Sequence, residues 1–260
     1  MSVSVSVQGV EKRYVRRGRE TLALSAVDLQ IGQGDFVAFV GPSGCGKSTL
    51  LNMIAGIIDP SGGQILHEGH VVNGINTRVG YMTQTDSVLP WRTVYENIEL
   101  PLTFRPYGAD QRRSKVEAMM KAVDLSAFGN AFPNELSGGM RKRVALAQVL
   151  VYEPSTLLMD EPFGALDAQL KLVMQQRLLE IWQQTRKTIV FVTHDLAEAV
   201  TLAQRVVVFS GRPGCIKAIE SIDIAHPRDP FKVRFEPKFQ EAYERLWSIL
   251  APEIAKGEDL

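Results

Sequence analysis

The residues of this chain best suited to chemistry lie in a glycine-rich stretch, residues 41–49, which reads Gly-Pro-Ser-Gly-Cys-Gly-Lys-Ser-Thr. An apolar strand is predicted just before it, over residues 35–40, and a helix just after it, over residues 48–55. Glycines let the backbone direct successive N–H groups at phosphate oxygens, and the helix dipole adds to the attraction for an anion. Lys47 can then reach the β- and γ-phosphates of a nucleotide, and Ser48 can bind Mg²⁺. The predicted phosphate-binding residues are Gly41, Pro42, Ser43, Gly44, Cys45, Gly46, Lys47, Ser48 and Thr49.

Two adjacent acids are a second candidate for chemistry. Asp160 and Glu161 end an apolar strand that is predicted over residues 155–161. In a phosphate-loop enzyme the first acid at such a strand end can bind Mg²⁺, and the second can orient or deprotonate the attacking water. Two buried neighbouring carboxylates without a cation would be costly to desolvate, which favours the chemical interpretation over a structural one.

Three further side chains follow or lie on predicted strands, and each has two interpretations. Gln84 follows a strand near residues 78–82, where an ordinary turn glutamine is the simpler interpretation. His194 follows a later buried strand, as a hydrogen-bonded bystander or as a catalytic group. Tyr14, on a predicted N-terminal β flap, either stacks on an adenine ring or is a half-exposed strand tyrosine. Because ligands bind beyond the carboxyl ends of parallel strands, Gln84 and His194 would share one rim with Asp160.

The elements that must position these residues form an α/β pattern. Two N-terminal strands, over residues 3–7 and 22–31, are expected to form an antiparallel flap beside the nucleotide. Two C-terminal strands, over residues 205–209 and 214–219, close the sheet. We expect these two strand-rich ends of the chain to share one sheet.

Helices are predicted to interrupt this pattern. Between Gln84 and Pro154 the sequence indicates helices over residues 93–102, 110–123 and 139–151, the second of which begins with Asp110 as its cap. A C-terminal helix begins near Pro237. Its predicted apolar face consists of Phe239, Tyr243, Leu246 and Leu250.

Composition limits the function classes. The chain has 260 residues, of which 45% are hydrophobic and 22% charged, as in ordinary soluble globular proteins. Its 29 basic and 29 acidic residues cancel, so we expect no nucleic-acid partner. No apolar run approaches the roughly 20 residues that cross a bilayer. Two cysteines, Cys45 and Cys215, are too few for a disulfide framework and are typical of a reducing compartment, so we expect a cytosolic location.

Residues 136–143, Leu-Ser-Gly-Gly-Met-Arg-Lys-Arg, closely resemble the LSGGQ signature of ABC-transporter ATPase subunits. The resemblance covers nearly the whole chain, because the other motifs of the family occur in the right order around the phosphate loop. Tyr14 resembles the adenine-stacking A-loop residue, Gln84 the Q-loop glutamine, residues 157–161 the Walker B strand with its catalytic glutamate Glu161, residues 164–167 the D-loop, and His194 the switch histidine.

Two positions depart from the family pattern. Met140 replaces the signature glutamine and Gly164 replaces the common D-loop serine, and neither change removes a group with an assigned role in the chemistry. Both departures, together with Leu-Pro-Trp at residues 89–91 and the tail at residues 231–241, resemble the importer subfamily for nitrate, sulfonates, taurine and related small molecules.

The resemblance implies the fold of a phosphate-loop NTPase. Its expected parts are a RecA-like core sheet, an antiparallel β flap and an inserted α-helical lobe, all within one domain over residues 1–260. The core lobe is assigned to about residues 1–84 and 155–225, the helical lobe to about 85–154 and a helical tail to about 226–260.

The resemblance also implies a dimer, most simply a homodimer, in which two copies pack head to tail. Each ATP would lie between the phosphate loop of one copy and the signature of the other, where Ser137 caps a helix whose N–H groups favour an anionic γ-phosphate. Hydrolysis would open the dimer. The implied roles are signature contacts to ATP for Ser137, Gly138 and Gly139, Mg²⁺ binding for Ser48 and Asp160, Mg²⁺ sensing for Gln84, polarisation of water for Glu161, contact with the γ-phosphate for His194, and reporting across the interface for Asp167.

The implied partners are an integral membrane permease, docked on residues 84–107, and indirectly a substrate-binding protein, which places the chain at the cytoplasmic face of the plasma membrane. Trp91 or Phe104 could anchor such a partner, although packing against neighbouring helices is the commoner fate of large apolar side chains. The alternative is a soluble nucleotide-switched clamp in DNA repair or cofactor assembly, against which the neutral charge and the lack of a coiled-coil insertion count. A GTPase is disfavoured because no Asn-Lys-x-Asp motif occurs.

Overall fold

The computed structural model describes residues 2–16, 18–85 and 87–258 of the chain. Residues 1, 259 and 260 at the ends of the predicted domain lie outside this description. The strands are β1 (Val3–Arg16), β2 (Arg19–Gly32), β3 (Phe36–Val40), β4 (Gly62–His67), β5 (His70–Val71), β6 (Val79–Met82), β7 (Thr156–Asp160), β8 (Thr188–Val192), β9 (Arg205–Phe209) and β10 (Ile216–Ser221). The α-helices are α1 (Lys47–Ile54), α2 (Val94–Thr103), α3 (Ala109–Ala122), α4 (Gly138–Leu150), α5 (Ala168–Thr185), α6 (Leu196–Leu202) and α7 (Pro237–Glu258).

A six-stranded sheet in the order β10-β9-β3-β8-β7-β6 forms the centre of the fold. The strands from β9 to β6 pair in parallel, and β10 pairs antiparallel with β9. Every residue of β3, β7 and β8 is buried, which explains why these segments are nearly continuous apolar runs. Parallel strands end at one edge of the sheet, so the segments that follow β3, β6, β7 and β8 begin side by side.

A separate four-stranded antiparallel sheet, β2-β1-β4-β5, contains the N-terminal strands. The expectation that the two strand-rich ends share one sheet is therefore wrong. Helix α1 lies between the sheets, because its Leu50 belongs to one core cluster with Val5 of β1 and Val37 of β3. Burial alternates along β2 from Val27 to Ile31, so this strand has one solvated face, whereas the central strands β3, β7 and β8 are covered on both faces.

Helices α5, α6 and α7 cover the opposite face of the central sheet. Helix α5 is not among the predicted helices, although Met174, Leu178 and Trp182 lie four residues apart and are all fully buried. The predicted C-terminal helix is present as α7. Its predicted apolar face is only partly buried, because Tyr243 is 38% exposed whereas Phe239, Leu246 and Leu250 are in the core.

Helices α2, α3 and α4 form a layer with an apolar core of its own, built from residues such as Val94, Val116 and Val144. The predicted Asp110 cap is wrong, because Gly108 is the N-cap of α3 and Asp110 lies in the first turn. In that turn its carboxylate still interacts favourably with the helix dipole.

The large side chains flanking α2 do not pack against neighbouring helices, contrary to the commoner expectation. Trp91 is 70% exposed and Phe104 is 82% exposed. Both side chains are therefore available to a partner molecule.

The segment between β10 and α7 is fixed to the core by buried polar groups. The guanidinium of Arg228 donates hydrogen bonds to several backbone carbonyls, among them that of Val200 at 2.6 Å. Beside it, the ring of His226 lies edge-on to Trp182, with 4.8 Å between ring centroids. Neither ring nitrogen of His226 has a hydrogen-bond partner among the described residues. Burial lowers the pKa of His226 to about 4, and the positive charges of Arg228 and Arg186 contribute further.

This burial predicts a pH-dependent stability. Because His226 stays neutral in the fold but takes up a proton in the unfolded chain, the free energy of unfolding should fall as the pH drops from about 6.5 toward 4. We expect His226→Phe to lose less stability than the unaltered chain between pH 7 and pH 5, as measured by urea unfolding at both values. His70→Phe, which changes an exposed histidine, is the control. An unchanged pH dependence in His226→Phe would contradict a buried neutral imidazole.

Candidate active site

The phosphate loop connects β3 to α1, as predicted, and its shape requires glycine at residue 46. Gly46 is the N-cap of α1 with φ +104°, and an added Cβ would lie 2.6 Å from Cδ2 of Leu24. Glycine avoids both the strained backbone conformation and the collision. The helix consequently begins at Lys47 with amide groups that have no intrahelical partner, which is the arrangement that binds anions.

The ammonium of Lys47 lies inside the loop. It donates hydrogen bonds to the carbonyl oxygens of Gly41 at 2.8 Å and Pro42 at 2.9 Å, and Lys47 is only 6% exposed. The thiol of Cys45 lies beneath the loop, 3.5 Å from Lys47 Nζ, and Cys45 is buried. Any contact of Cys45 with a phosphate would therefore involve its backbone.

The loop borders a cavity of about 500 Å³. The cavity brings the loop together with Tyr14, Gln84 and Glu161, three residues predicted to act with it from distant parts of the sequence. The ring of Tyr14 is available there, since the residue is 42% exposed. The described residues that line the cavity are Tyr14, Thr21, Ala23, Ser43, Gly44, Gly46, Lys47, Ser48, Thr49, Gln84, Glu161 and Arg212.

Three of these residues were missed by sequence analysis. Thr21 pairs with Tyr14 across the β1–β2 hairpin, so the hairpin register would have placed it and Ala23 beside the tyrosine. Arg212 lies in the loop between β9 and β10, and no motif in the sequence indicates its position.

The two acids at the end of β7 have different surroundings. Asp160 is 8% exposed, and its carboxylate accepts a hydrogen bond of 2.9 Å from the hydroxyl of Ser48. Burial raises the pKa of Asp160 above its ordinary value, against the opposing effect of the Ser48 hydrogen bond. Glu161 leaves the strand in a left-handed backbone conformation, with φ +45°, and its N–H bonds to the carbonyl of Val192 at 3.0 Å. This turn directs the Glu161 side chain into the cavity.

The carboxylate of Glu161 is the point where the predicted catalytic residues meet. Its Oε2 atom lies 3.1 Å from Nδ1 of His194 and 3.4 Å from Nε2 of Gln84. The neighbouring Thr193 donates a 2.6 Å hydrogen bond to the buried carboxylate of Glu198. An acid, an imidazole and an amide at one edge of the phosphate cavity can together orient a water molecule and a phosphoryl group.

The donor atoms at this edge fit Mg²⁺. Ser48 and Asp160 supply hydroxyl and carboxylate oxygens, which are the hard ligands that Mg²⁺ prefers, and a cation would stabilise the charged form of the buried Asp160. Within the described residues there is no cluster of three or more His, Cys, Asp or Glu side chains suited to a metal. Water and nucleotide phosphates would complete the coordination, as is usual for this ion.

The signature residues and Asp167 lie elsewhere, since none is among the described residues lining the cavity. Ser137 caps α4 and accepts a hydrogen bond from the Met140 N–H at 3.3 Å, and Asp167 caps α5 in the same way. Gly139 is buried against α5, where an added Cβ would lie 2.5 Å from Cδ2 of Leu170. Ser137 and Gly138 are exposed.

The chain is similar to known proteins over its whole length. The family model described as ABC transporter matches residues 24–164. An uncharacterized ABC transporter ATP-binding protein of Methanocaldococcus jannaschii, MJ0412, is 41% identical, and the alignment covers 99% of this chain and 95% of the relative. The aliphatic sulfonates import ATP-binding protein SsuB of Bacillus subtilis is 39% identical, with 100% of this chain and 97% of the relative covered.

The fold is similar to that of solved ATP-binding cassette structures. The ATP-binding cassette MJ0796, a dimer in a post-hydrolysis state bound to ADP and phosphate, is 32% identical with a TM-score of 0.75, over 85% of this chain and 100% of that one. The structure of cbiO1 from Clostridium perfringens, 24% identical, has a TM-score of 0.76 over 100% of both chains and bears on the fold alone.

The geometry around Glu161 generates a prediction for hydrolysis. Glu161→Gln keeps the size of the side chain but removes the charge that polarises water, so ATP turnover should fall by about 10²–10⁴-fold while ATP still binds. Phosphate release and equilibrium binding measure the two effects. Glu241→Gln, on the exposed side of α7, is the matched control and should hydrolyse ATP normally. A normal rate in Glu161→Gln would remove Glu161 from the chemistry.

Proposed function

This chain belongs to the ABC transporter family, as an ATPase coupled to transport, and we propose that it is the ATP-hydrolysing subunit of an importer for a small organic or inorganic anion. ATP hydrolysis is supported above all by the contacts of the Glu161 carboxylate with His194 and Gln84 beside the phosphate loop. The importer part is supported by the similarity to a sulfonate import protein over the whole chain. A sulfonate, taurine or nitrate is the class of substrate that we propose.

In the proposed reaction, the residues of this chain bind ATP and orient a water molecule. Tyr14 stacks on the adenine, and the loop amides and Lys47 hold the phosphates. Glu161 accepts a hydrogen bond from the attacking water, and His194 contacts the γ-phosphate. Mg²⁺, held by Ser48 and Asp160 and sensed by Gln84, supplies positive charge against the phosphate oxygens when it is bound. The short distances from Glu161 to His194 and Gln84 support these assignments.

We propose that the working form is a head-to-tail homodimer. The exposed Ser137 and Gly138 start a helix whose amides suit a γ-phosphate, yet they do not line the cavity of their own chain within the described residues. A second copy would bring Ser137, Gly138 and Gly139 to that phosphate, with Asp167 at the same interface. The dimeric state of a 32% identical cassette supports this arrangement. ATP would then join the two copies, and hydrolysis would separate them.

Gly138 allows the dimer to be tested without disturbing the single chain. An added Cβ at Gly138 meets nothing closer than 3.8 Å, whereas at Gly139 it collides with Leu170. In a Glu161→Gln background, Gly138→Asp should keep the melting temperature but lose the ATP-dependent doubling of mass in light scattering, because the carboxylate would repel the γ-phosphate. Gly108→Asp, at the N-terminus of α3 with its nearest atom 4.0 Å away, is the matched control. Dimers of Gly138→Asp in ATP would refute the shared site.

A second surface is proposed to receive a membrane permease. A groove of about 590 Å³ lies beside α2 and α4 and is lined by side chains that include Leu100, Phe104 and Tyr152. The exposed Trp91 and Phe104 supply the aromatic anchors that are typical of binding surfaces. Asp86, within the predicted docking segment 84–107, lies outside the described residues. None of the helices in the described part of the chain has the length and apolarity needed to cross a bilayer.

This surface is connected to the active site through Gln84. The buried Lys142 of α4 donates a hydrogen bond to the Gln84 carbonyl at 3.3 Å, and the Gln84 side chain reaches Glu161. Movement of the helical layer would therefore shift a group that contacts the catalytic acid. We propose that the chain is peripheral at the cytoplasmic face of the plasma membrane, held there by the permease, and that it acts only indirectly with a substrate-binding protein.

Purification of the native complex distinguishes an importer subunit from a soluble clamp. The similarity to a sulfonate import protein does not favour the clamp. We expect the tagged chain, isolated from detergent-solubilised membranes of its source organism, to copurify with a membrane protein of several spans. Phe104→Glu should lose that protein and retain ATP binding, since it places a charge in an apolar contact. Phe235→Glu, at a phenylalanine that is 77% exposed outside this groove, is the control. Recovery of soluble partners alone would contradict the importer.

A further inference from the structure

We infer that Arg212 is a positioning residue for the phosphate loop, and that Glu253 of α7 holds the loop that carries it. Arg212 lies between β9 and β10, outside every motif identified in the sequence, yet its side chain lines the nucleotide cavity. The segment from Ser210 to Cys215, which we call the β9–β10 loop, packs against the phosphate loop. The inference rests on the proposed function in one respect, that a nucleotide occupies this cavity.

Arg212 makes a two-pronged contact with one carbonyl group. Its Nε and Nη2 atoms donate hydrogen bonds to the Gly44 carbonyl oxygen at 3.1 Å and 3.0 Å. Hydrogen bonds from a charged guanidinium are stronger than neutral ones, and the rigid fork fixes the direction of the acceptor. Gly44 has φ +72°, and an added Cβ would lie 2.7 Å from Arg212 Nη2, so the guanidinium sits directly on the loop backbone.

The position of this carbonyl determines where the next amide group points. In a trans peptide the C=O and N–H groups point in opposite directions. A Gly44 carbonyl held by Arg212 on one side therefore directs the Cys45 N–H to the other, where it donates to the Pro42 carbonyl at 3.4 Å. The next peptide lies in close contact with the same loop, because an added Cβ on Gly214 would overlap the carbonyl oxygen of Cys45. The β9–β10 loop thus bonds to one peptide of the phosphate loop and packs against the next.

The β9–β10 loop is itself held at both ends. On the flap side, the Gly214 N–H donates to the Ala23 carbonyl and the Ser25 N–H donates to the Gly214 carbonyl, both at 2.9 Å. On the α7 side, the Gly211 N–H donates to the Glu253 carboxylate at 3.1 Å. Glu253 is only 5% exposed.

The Glu253 carboxylate is fixed by two lysines. Its Oε1 atom lies 2.9 Å from the ammonium of Lys256 and 3.3 Å from that of Lys217. A chain of contacts therefore runs from α7 through Glu253, Gly211 and Arg212 to Gly44. An ordered phosphate loop binds phosphate with less loss of conformational freedom, so these contacts should strengthen binding of phosphate-bearing ligands.

The test compares nucleotides with a ligand that has no base. Displacement of a fluorescent ADP from the purified 260-residue chain measures the binding of ATP, ADP and inorganic tripolyphosphate. In Arg212→Ala we expect the Kd of all three ligands to rise by a similar factor of about ten, which is the loss expected for a hydrogen bond from a charged group. Arg245→Ala, which removes an exposed arginine of α7 bonded to Glu220, is the matched control and should bind like the unaltered chain.

Glu253→Ala separates positioning from simple electrostatics. Removing a negative charge should strengthen phosphate binding if only net charge matters, whereas loss of the support for the β9–β10 loop should weaken it by roughly threefold. The melting temperature of Glu253→Ala without ligand shows whether the variant remains folded. Glu241→Ala, which removes an exposed carboxylate of α7, is the control for the loss of charge. Since Arg212 is an exposed side chain, its variant also keeps the test valid if Glu253→Ala fails to fold.

Three results would overturn the inference. One is unchanged affinity in Arg212→Ala, and another is a loss for ATP and ADP that is absent for tripolyphosphate, which would assign Arg212 to the base or ribose. The third is unchanged or tighter binding by folded Glu253→Ala. Failure of the unaltered chain to bind ATP would instead refute the proposed function together with the inference. Normal ATP binding by the unaltered chain with an unaffected Arg212→Ala refutes the inference alone.

Discussion

Burial of the central strands β3, β7 and β8 on both faces is the constraint on which the site depends. Strands β3, β8, β7 and β6 are parallel neighbours in that order, so their carboxyl ends lie side by side at one edge. This edge is followed in the chain by the phosphate loop after β3, His194 after β8, Glu161 after β7 and Gln84 after β6. Groups that are far apart in the sequence therefore converge because the core requires the strands to be adjacent. The geometry of the chemistry is a consequence of sheet packing.

One local departure from regular structure completes that geometry. β7 ends at Asp160, and Glu161 adopts a left-handed conformation that costs a residue other than glycine about 1 kcal/mol or more. Regular continuation of the strand would send the Glu161 side chain to the face opposite that of Asp160. The bond from its N–H to Val192 on the neighbouring β8 fixes the turn instead. The strained conformation allows both acids to face the same region, Asp160 toward Ser48 and Glu161 toward His194.

The sequence was informative where a side chain's position follows from a strand end. Gln84 and His194 had two interpretations each, and the structure brings both to Glu161 because parallel strands end together. The separation into two sheets was not predictable from alternation alone, since that pattern reveals a solvated face but not the strand's partner. Arg212 could not be predicted as a site residue either, because a local sequence pattern does not reveal contacts between distant segments. Its contact with Gly44 depends on how the β9–β10 loop crosses the phosphate loop, which no local pattern encodes.

The N-termini of α4 and α5 lie close together because Gly139 has no side chain. Its contact with Leu170 brings the N-termini of α4 and α5 together, and the exposed caps Ser137 and Asp167 stand at those two ends. From this surface α5 runs inward, where Lys171 lies 3.8 Å from the buried carboxylate of Glu198. That carboxylate accepts a hydrogen bond from Thr193, the residue before His194. In the proposed dimer, a partner's phosphate bound at the signature would contact the N-terminus of α4, which packs on α5 through Gly139 and Leu170. The contacts of Gly139 with Leu170, of Lys171 with Glu198 and of Glu198 with Thr193 therefore connect the start of α4 to the strand end that carries His194.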